Sequence, residues 1–121
     1  MISRELVDSW MSELKKAWEA GDLDGALSLF SKTEAYYERP FKAGTTAEEI
    51  QAYWKDIVGL SDIRLTYSIV AVEGDTACVH WENWFRADES AKLDHLDGVF
   101  VIEFDGDRNC RVFRQWWFME P

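Results

Sequence analysis

The stretch L-D-G-V-F-V-I-E-F-D-G-D-R-N-C-R-V-F-R-Q-W-W-F-M, Leu96 to Met119, decides how the chain folds. Two extended runs, Gly98–Phe104 and Cys110–Met119, flank Asp105, Gly106, Asp107, Arg108 and Asn109, a cluster of turn-forming residues that predicts a hairpin with a longer loop. Both arms are rich in aromatic and β-branched residues, which fit a pleated, half-buried surface. Their apolar residues occupy both alternating faces. Phe100, Ile102 and Phe104 oppose Val99 and Val101, while Phe113, Trp117 and Met119 oppose Val112, Trp116 and Phe118. A strand apolar on both faces needs cover on both. Helices can supply one cover; a second sheet, a second subunit or a ligand must supply the other.

Working outward from the hairpin, two more extended segments precede it: Ile63–Val72, ending at the turn Glu73-Gly74-Asp75, and Thr76–Arg86. The polar stretch Ala87–Asp94 between Thr76–Arg86 and the hairpin reads as a solvated loop. Further upstream the period changes. Leu6, Trp10, Leu14, Ala17 and Trp18 make an apolar stripe on a helix over Ile2–Ala20, with Ser3 as its N-cap. Asp22 caps a short second helix, Leu23–Phe30. Glu34–Phe41 is a first strand, stopped by Pro40, which cannot donate to a ladder. Lys42 to Gly44 reads as a loop. Thr46 and Glu49 have capping-box spacing at the start of a third helix, which carries Ile50, Tyr53, Trp54 and Ile57 up to Gly59. Helices early and an antiparallel meander late define an α+β fold with the helices on one face of a curved antiparallel sheet.

At 121 residues the chain is one domain, residues 1–121, large enough for a single core. Seven tryptophans and 15% aromatic residues predict a bulky core or an aromatic-lined cavity. The net charge of −10 argues against nucleic acid and anionic membranes as partners, since phosphate binding needs lysine and arginine clusters. No apolar run is long enough to span a bilayer, and the N-terminus lacks a signal-peptide layout, so the expected location is the cytoplasm. The two cysteines, Cys78 and Cys110, have no metal-binding or redox spacing and are expected as free thiols. No metal motif, phosphate loop or nucleophile elbow is present, so neither metal nor cofactor is expected.

Four segments, in order, resemble one known superfamily. They are A-W-E-A-G-D-L-D-G-A-L-S-L-F (Ala17–Phe30), the short strand ending in Pro40-Phe41, G-x-x-x-x-E-I-x-x-Y-W (Gly44–Trp54), and the closing F-D-G-D-x-x-C-R-V-F-R-Q-W-W-F. Together they resemble the nuclear-transport-factor-2-like superfamily and its SnoaL-like members, which include polyketide cyclases, ketosteroid isomerases, scytalone dehydratases and limonene epoxide hydrolases. The resemblance implies a cone-shaped curved sheet wrapped around about three N-terminal helices, with a pocket between them and a homodimer through the sheet's outer face. It does not carry over the isomerase mechanism. The oxyanion-hole tyrosine falls at Leu14 and the protonated aspartate at Phe100, neither of which can donate a hydrogen bond. The base falls at Glu38 counted from Phe30, or at Arg39 anchored on Pro40.

The same register implies that Cys78, His80, Glu82 and Trp84 face the cone interior, with Val79, Trp81, Asn83 and Phe85 outside. The opposite facing would put His80 outside and Trp81 in the pocket. His80 and Glu82, two apart on a strand, share a face, and a carboxylate beside an imidazole raises its pKa and orients it as a general base. These two are the expected catalytic pair. Expected ligand contacts are Trp18, Tyr37, Arg39, Tyr53, Trp54, Phe100, Gln115 and Trp117. Arg39 would clamp a carbonyl or carboxylate, or pair with Glu82. The expected function is cofactor-free acid/base catalysis on a small, mostly apolar molecule, of isomerase, dehydratase or cyclase type. The alternative is a ligand-binding or dimeric scaffold protein without turnover.

Overall fold

In the computed structural model, which describes residues 1–121, the helices lie along the concave face of one bent sheet. Helix α1 (Arg4–Glu19) starts where the Ser3 side chain accepts a hydrogen bond from the Leu6 amide, and it buries Val7, Trp10, Met11, Leu14, Ala17 and Trp18. Asp22 caps α2 (Leu23–Ser28) by accepting from the Gly25 amide. At α3 (Ala47–Trp54) the Thr46 hydroxyl accepts from the Glu49 amide while the Glu49 carboxylate accepts from Thr45, and a 3-10 turn, Lys55–Gly59, continues the helix.

The strands are β1 (Ala35–Arg39), β2 (Lys42–Gly44), β3 (Ser61–Glu73), β4 (Thr76–Arg86), β5 (Leu93–Phe104) and β6 (Cys110–Met119), ordered β2-β1-β6-β5-β4-β3. Only β1 and β6 run parallel. The residues expected as a loop after Phe41 instead form the edge strand β2, too short for alternation to reveal it. Register shifts within β3, one of them between Ile69 and Ala71, disturb its ladder to β4. Such bulges bend a strand, which helps the sheet curl around the helices. The core sits inside that curl. Trp10 meets Phe30 edge-on at 5.6 Å, and Phe113 packs on Phe30, Tyr36 and Phe100 at 5.1, 4.7 and 4.7 Å.

The facing of β5 and β6 is as expected: Phe100, Ile102, Phe113 and Gln115 are buried inside. The facing of β4 is reversed. Ala77, Val79, Trp81 and Asn83 are buried on the concave side, and His80 and Glu82 lie on the convex side. Register fixes this: Trp81 pairs with Gly98 and His80 with Val99. The Trp81 ring occupies the space a side chain at position 98 would take, since a Cβ there would sit 2.6 Å from Trp81 Cζ2. From that seat the indole stacks on Phe100 at 5.0 Å and tilts against Trp18 at 5.6 Å. Asn83 tolerates burial because its amide donates to the Arg64 carbonyl at 2.9 Å.

Candidate functional site

Strand β1 sends alternate side chains to opposite faces. Tyr36 and Glu38 enter the cone, while Tyr37 and Arg39 leave it. Tyr36 is fully buried beside its neighbour Phe113 on β6. Tyr37 lies outside under the Arg114 guanidinium, 4.7 Å from its ring centroid, and Arg39 is exposed. The expected ligand contacts at Tyr37 and Arg39 are therefore corrected: both sit on the wrong side of the sheet to reach the interior.

Glu38 opens onto a cavity of about 110 Å³ between the helices and the sheet. Trp18 of α1, Tyr53 and Trp54 of α3, and Trp81, Gln115 and Trp117 of the sheet form most of its wall. Of the expected contacts, Trp18, Tyr53, Trp54, Gln115 and Trp117 thus converge on one space. Phe100 does not line it; it is buried one layer deeper, beneath Trp81. The edge strand β2 contributes through Gly44, whose missing side chain lets Tyr53 approach the backbone and stack on Tyr36 at 5.3 Å.

Within this apolar setting Glu38 is the one carboxyl on the wall. Burial pushes its pKa from 4.5 up to about 7, with the nearby Arg39 charge pulling it partly back. Gln115 donates from Nε2 to Glu38 Oε2 at 2.8 Å, which holds the carboxyl group in place. A carboxyl group titrating near neutrality can both accept and return a proton. Burial and the neighbouring Glu38 charge hold the Tyr36 phenol well above its usual range, so it stays protonated. The indole N–H groups of Trp54 and Trp81 are buried without a hydrogen-bond partner, an uncommon state for buried donors. A larger cleft of about 590 Å³ lies elsewhere, around Met1, Asp75, Asp105 and Arg108. It is mostly polar, and its N-terminal ammonium already pairs with Asp75 at 2.8 Å.

The expected catalytic pair lies across the sheet from that cavity. His80 Nε2 meets Asp97 Oδ1 at 2.7 Å, and Glu82 Oε2 meets His95 Nε2 at 2.9 Å, all on the convex face. His80 and Glu82 are neighbours there but cannot act on a molecule inside the cone. Tyr36 was not among the expected site residues; Glu38 was one of the two positions implied for a base, and Trp81 was placed in the pocket only by the opposite facing of β4. The signal for Glu38 was its alternation with Tyr37 and Arg39, which places either Glu38 or Arg39 inside, never both. Both cysteines are unpaired; burial pushes the Cys110 thiol up to about 12, which leaves it unreactive.

An α+β cone with helices plugging a bent six-stranded sheet and a side-chain-lined cavity between them is the architecture of the nuclear-transport-factor-2-like superfamily. The chain belongs to the SnoaL-like domain family, whose profile matches residues 11–112. Among solved structures it is similar to the Δ5-3-ketosteroid isomerase from Mycobacterium sp., with a TM-score of 0.76, 15% identity, and coverage of 95% of this chain and 97% of that one. It is also similar to SalBIII, described as an epoxide hydrolase/cyclase-like enzyme in pyran ring formation in the polyether salinomycin. There the TM-score is 0.75 at 14% identity, covering 98% of this chain and 95% of that one. At these identities the likeness is one of fold. No curated protein matches the chain by sequence. No helix is long and apolar enough to cross a membrane.

Proposed function

We propose that the protein binds a small, mostly apolar molecule in the aromatic cavity and that Glu38 transfers a proton to or from it without a cofactor. One observation carries the reading: a carboxyl group with its pKa near 7 stands on an aromatic wall, held by Gln115. Isomerisation, dehydration and ring closure all need such a proton carrier, and the two solved relatives are named for chemistry of this kind. The test is a screen of small cyclic ketones, epoxides and alcohols for intrinsic tryptophan quenching and for deuterium uptake from D₂O. Glu38→Gln should keep the quenching and lose the uptake. Uptake that survives the substitution would remove Glu38 from the chemistry.

A second reading, a dimeric scaffold without turnover, is favoured by the size of the cavity. About 110 Å³ holds only a handful of non-hydrogen atoms, well below the few hundred Å³ usual for ligand pockets. For quaternary structure we propose a homodimer through the convex face. The reversal of β4 removes Val79, Trp81, Asn83 and Phe85 from that face, so the apolar patch is smaller than the sequence implies. Phe118 at 85% exposure and Trp116 at 47% remain on it, and side chains of this kind ordinarily seek cover. Light scattering at micromolar concentration tests this, and a monomer mass would refute it.

A further inference from the structure

The chain has two histidines, and the fold brings both to one patch of the convex face, far in sequence from Glu38 and on the opposite side of the sheet. His80 and Glu82 point outward from β4; His95 and Asp97 point outward from the adjacent β5. Glu82 and Asp97 are directly paired across the strands, and the histidines lie on either side of that pair. Each imidazole contacts a carboxylate: His80 Nε2 to Asp97 at 2.7 Å and His95 Nε2 to Glu82 at 2.9 Å. The donor atoms of His80, Glu82 and Asp97 all lie within 4.8 Å of one another. Neither Glu82 nor Asp97 forms an ion pair with lysine or arginine.

We infer that His80, Glu82 and Asp97 form a binding site for a divalent transition-metal ion of the zinc type, with a water in the fourth position and His95 holding Glu82 from outside. An ion held tetrahedrally at about 2.1 Å from each donor needs donors roughly 3.4 Å apart. The 2.7 Å contact of His80 with Asp97 and the 4.8 Å outer limit among the three donors bracket that spacing, so small rotamer adjustments on the two adjacent strands suffice. An imidazole with two carboxylates is a borderline donor set, which favours zinc, cobalt or nickel over magnesium or calcium. With neutral histidines the two carboxylates balance the charge of a divalent ion. The His95 ring is also oriented in advance. Its Nδ1 contacts Glu120 at 3.3 Å, leaving Nε2 toward the site, and Trp84 stacks parallel to it at 4.7 Å. An outer hydrogen bond that orients a ligating carboxylate, as His95 orients Glu82, is a usual support of such sites.

The test is a calorimetric titration of metal-stripped full-length protein with Zn²⁺, followed by the visible spectrum with Co²⁺. We expect one Zn²⁺ per chain, bound at least about tenfold more weakly by His80→Ala, with a smaller loss in His95→Ala, which removes only the hydrogen bond that orients Glu82. Asp97→Asn, which preserves side-chain size at an exposed position, should weaken binding in the same direction, and circular dichroism verifies that each variant is folded. Cys78→Ser should bind as the wild type does, because the thiol is not one of the ligands. Millimolar Mg²⁺ should not displace the zinc. Absence of binding, affinity unchanged in His80→Ala, loss of binding on Cys78→Ser, or equal competition by Mg²⁺ would each overturn the assignment; the last would mark a merely acidic surface.

Discussion

Replacing Glu38 with glutamine should stabilise the protein at alkaline pH and leave it nearly unchanged at acidic pH. The ordinary carboxyl value of 4.5 applies in the unfolded chain, and burial raises it to about 7 in the fold. For an acid whose pKa is raised by folding, the cost is absent below the unfolded value, where both states are protonated. It grows as pH rises from 4.5 and is complete above 7, where the folded chain must carry a buried charge. The full rise corresponds to about 3 kcal/mol, and partial access of solvent to the carboxyl group reduces this to about 2 kcal/mol. Glutamine is neutral throughout, has nearly the same shape, and can still accept the Gln115 hydrogen bond. Urea unfolding of both proteins at pH 5 and pH 8 isolates the effect, since every other carboxylate titrates equally in each. The stability difference between variant and wild type should increase by about 1–1.5 kcal/mol in favour of the variant between those values, since part of the cost is already present at pH 5. A difference that stays flat would mean that Glu38 titrates as an exposed carboxylate. The proposed proton transfer would then lose its main support.

Three further outcomes follow from the packing around the same cavity and the opposite face. Gln115→Leu removes the donor that favours ionised Glu38, so the Glu38 pKa should move up, read by carboxyl ¹³C chemical shifts across a pH titration. Gly98→Ala forces a Cβ to 2.5 Å from the Trp116 carbonyl oxygen and 2.6 Å from the Trp81 ring. It should cost about 2–3 kcal/mol in thermal or urea unfolding, and Trp81→Leu should recover only part, because the carbonyl stays. Phe118→Asp with Trp116→Ser should convert the proposed dimer to monomer by light scattering without loss of helical and sheet signal, since both side chains are exposed.

Most of the scaffold was legible because local chemistry and global fold agree. Ser3, Asp22 and Thr46 cap the helices they were expected to cap, and β4 and β6 begin and end at the expected residues. Each of these features depends on a few neighbouring side chains. Strand β2 was not legible, because three residues give too little alternation to distinguish an edge strand from a loop. The mouth of the site was half legible. Trp18, Tyr53, Trp54, Gln115 and Trp117 were expected in the cavity wall and are there, since helix stripes and the hairpin's own alternation fix their direction. Glu38 and Arg39 could not be separated, because the register of a five-residue strand against a distant partner is not encoded nearby.

The reversal of β4 shows where reasoning by resemblance and reasoning by chemistry part. Taken alone, T-A-C-V-H-W-E-N alternates, with Ala77, Val79 and Trp81 on one parity and Cys78, His80 and Glu82 on the other, and the hydrophobic effect sends the first set inward. The register implied by the resemblance differs from that pattern by one residue, which exchanges every side chain on the strand. The local cause of the true register is a matched pair: a tryptophan large enough to reach the core, opposite a glycine that leaves room for it. The consequence is chemical as much as structural. With His80 and Glu82 outside, the cavity holds a single carboxyl group among indole and phenol rings, and low polarity alone suffices to bring that group to neutral pKa. With Trp81 inside, the convex face gains the two imidazoles and two carboxylates that the cone would otherwise have concealed. One fold thus separates the proposed proton-transfer site from the proposed metal site by the thickness of a sheet, so substitutions at Glu38 and at His80 test the two proposals independently.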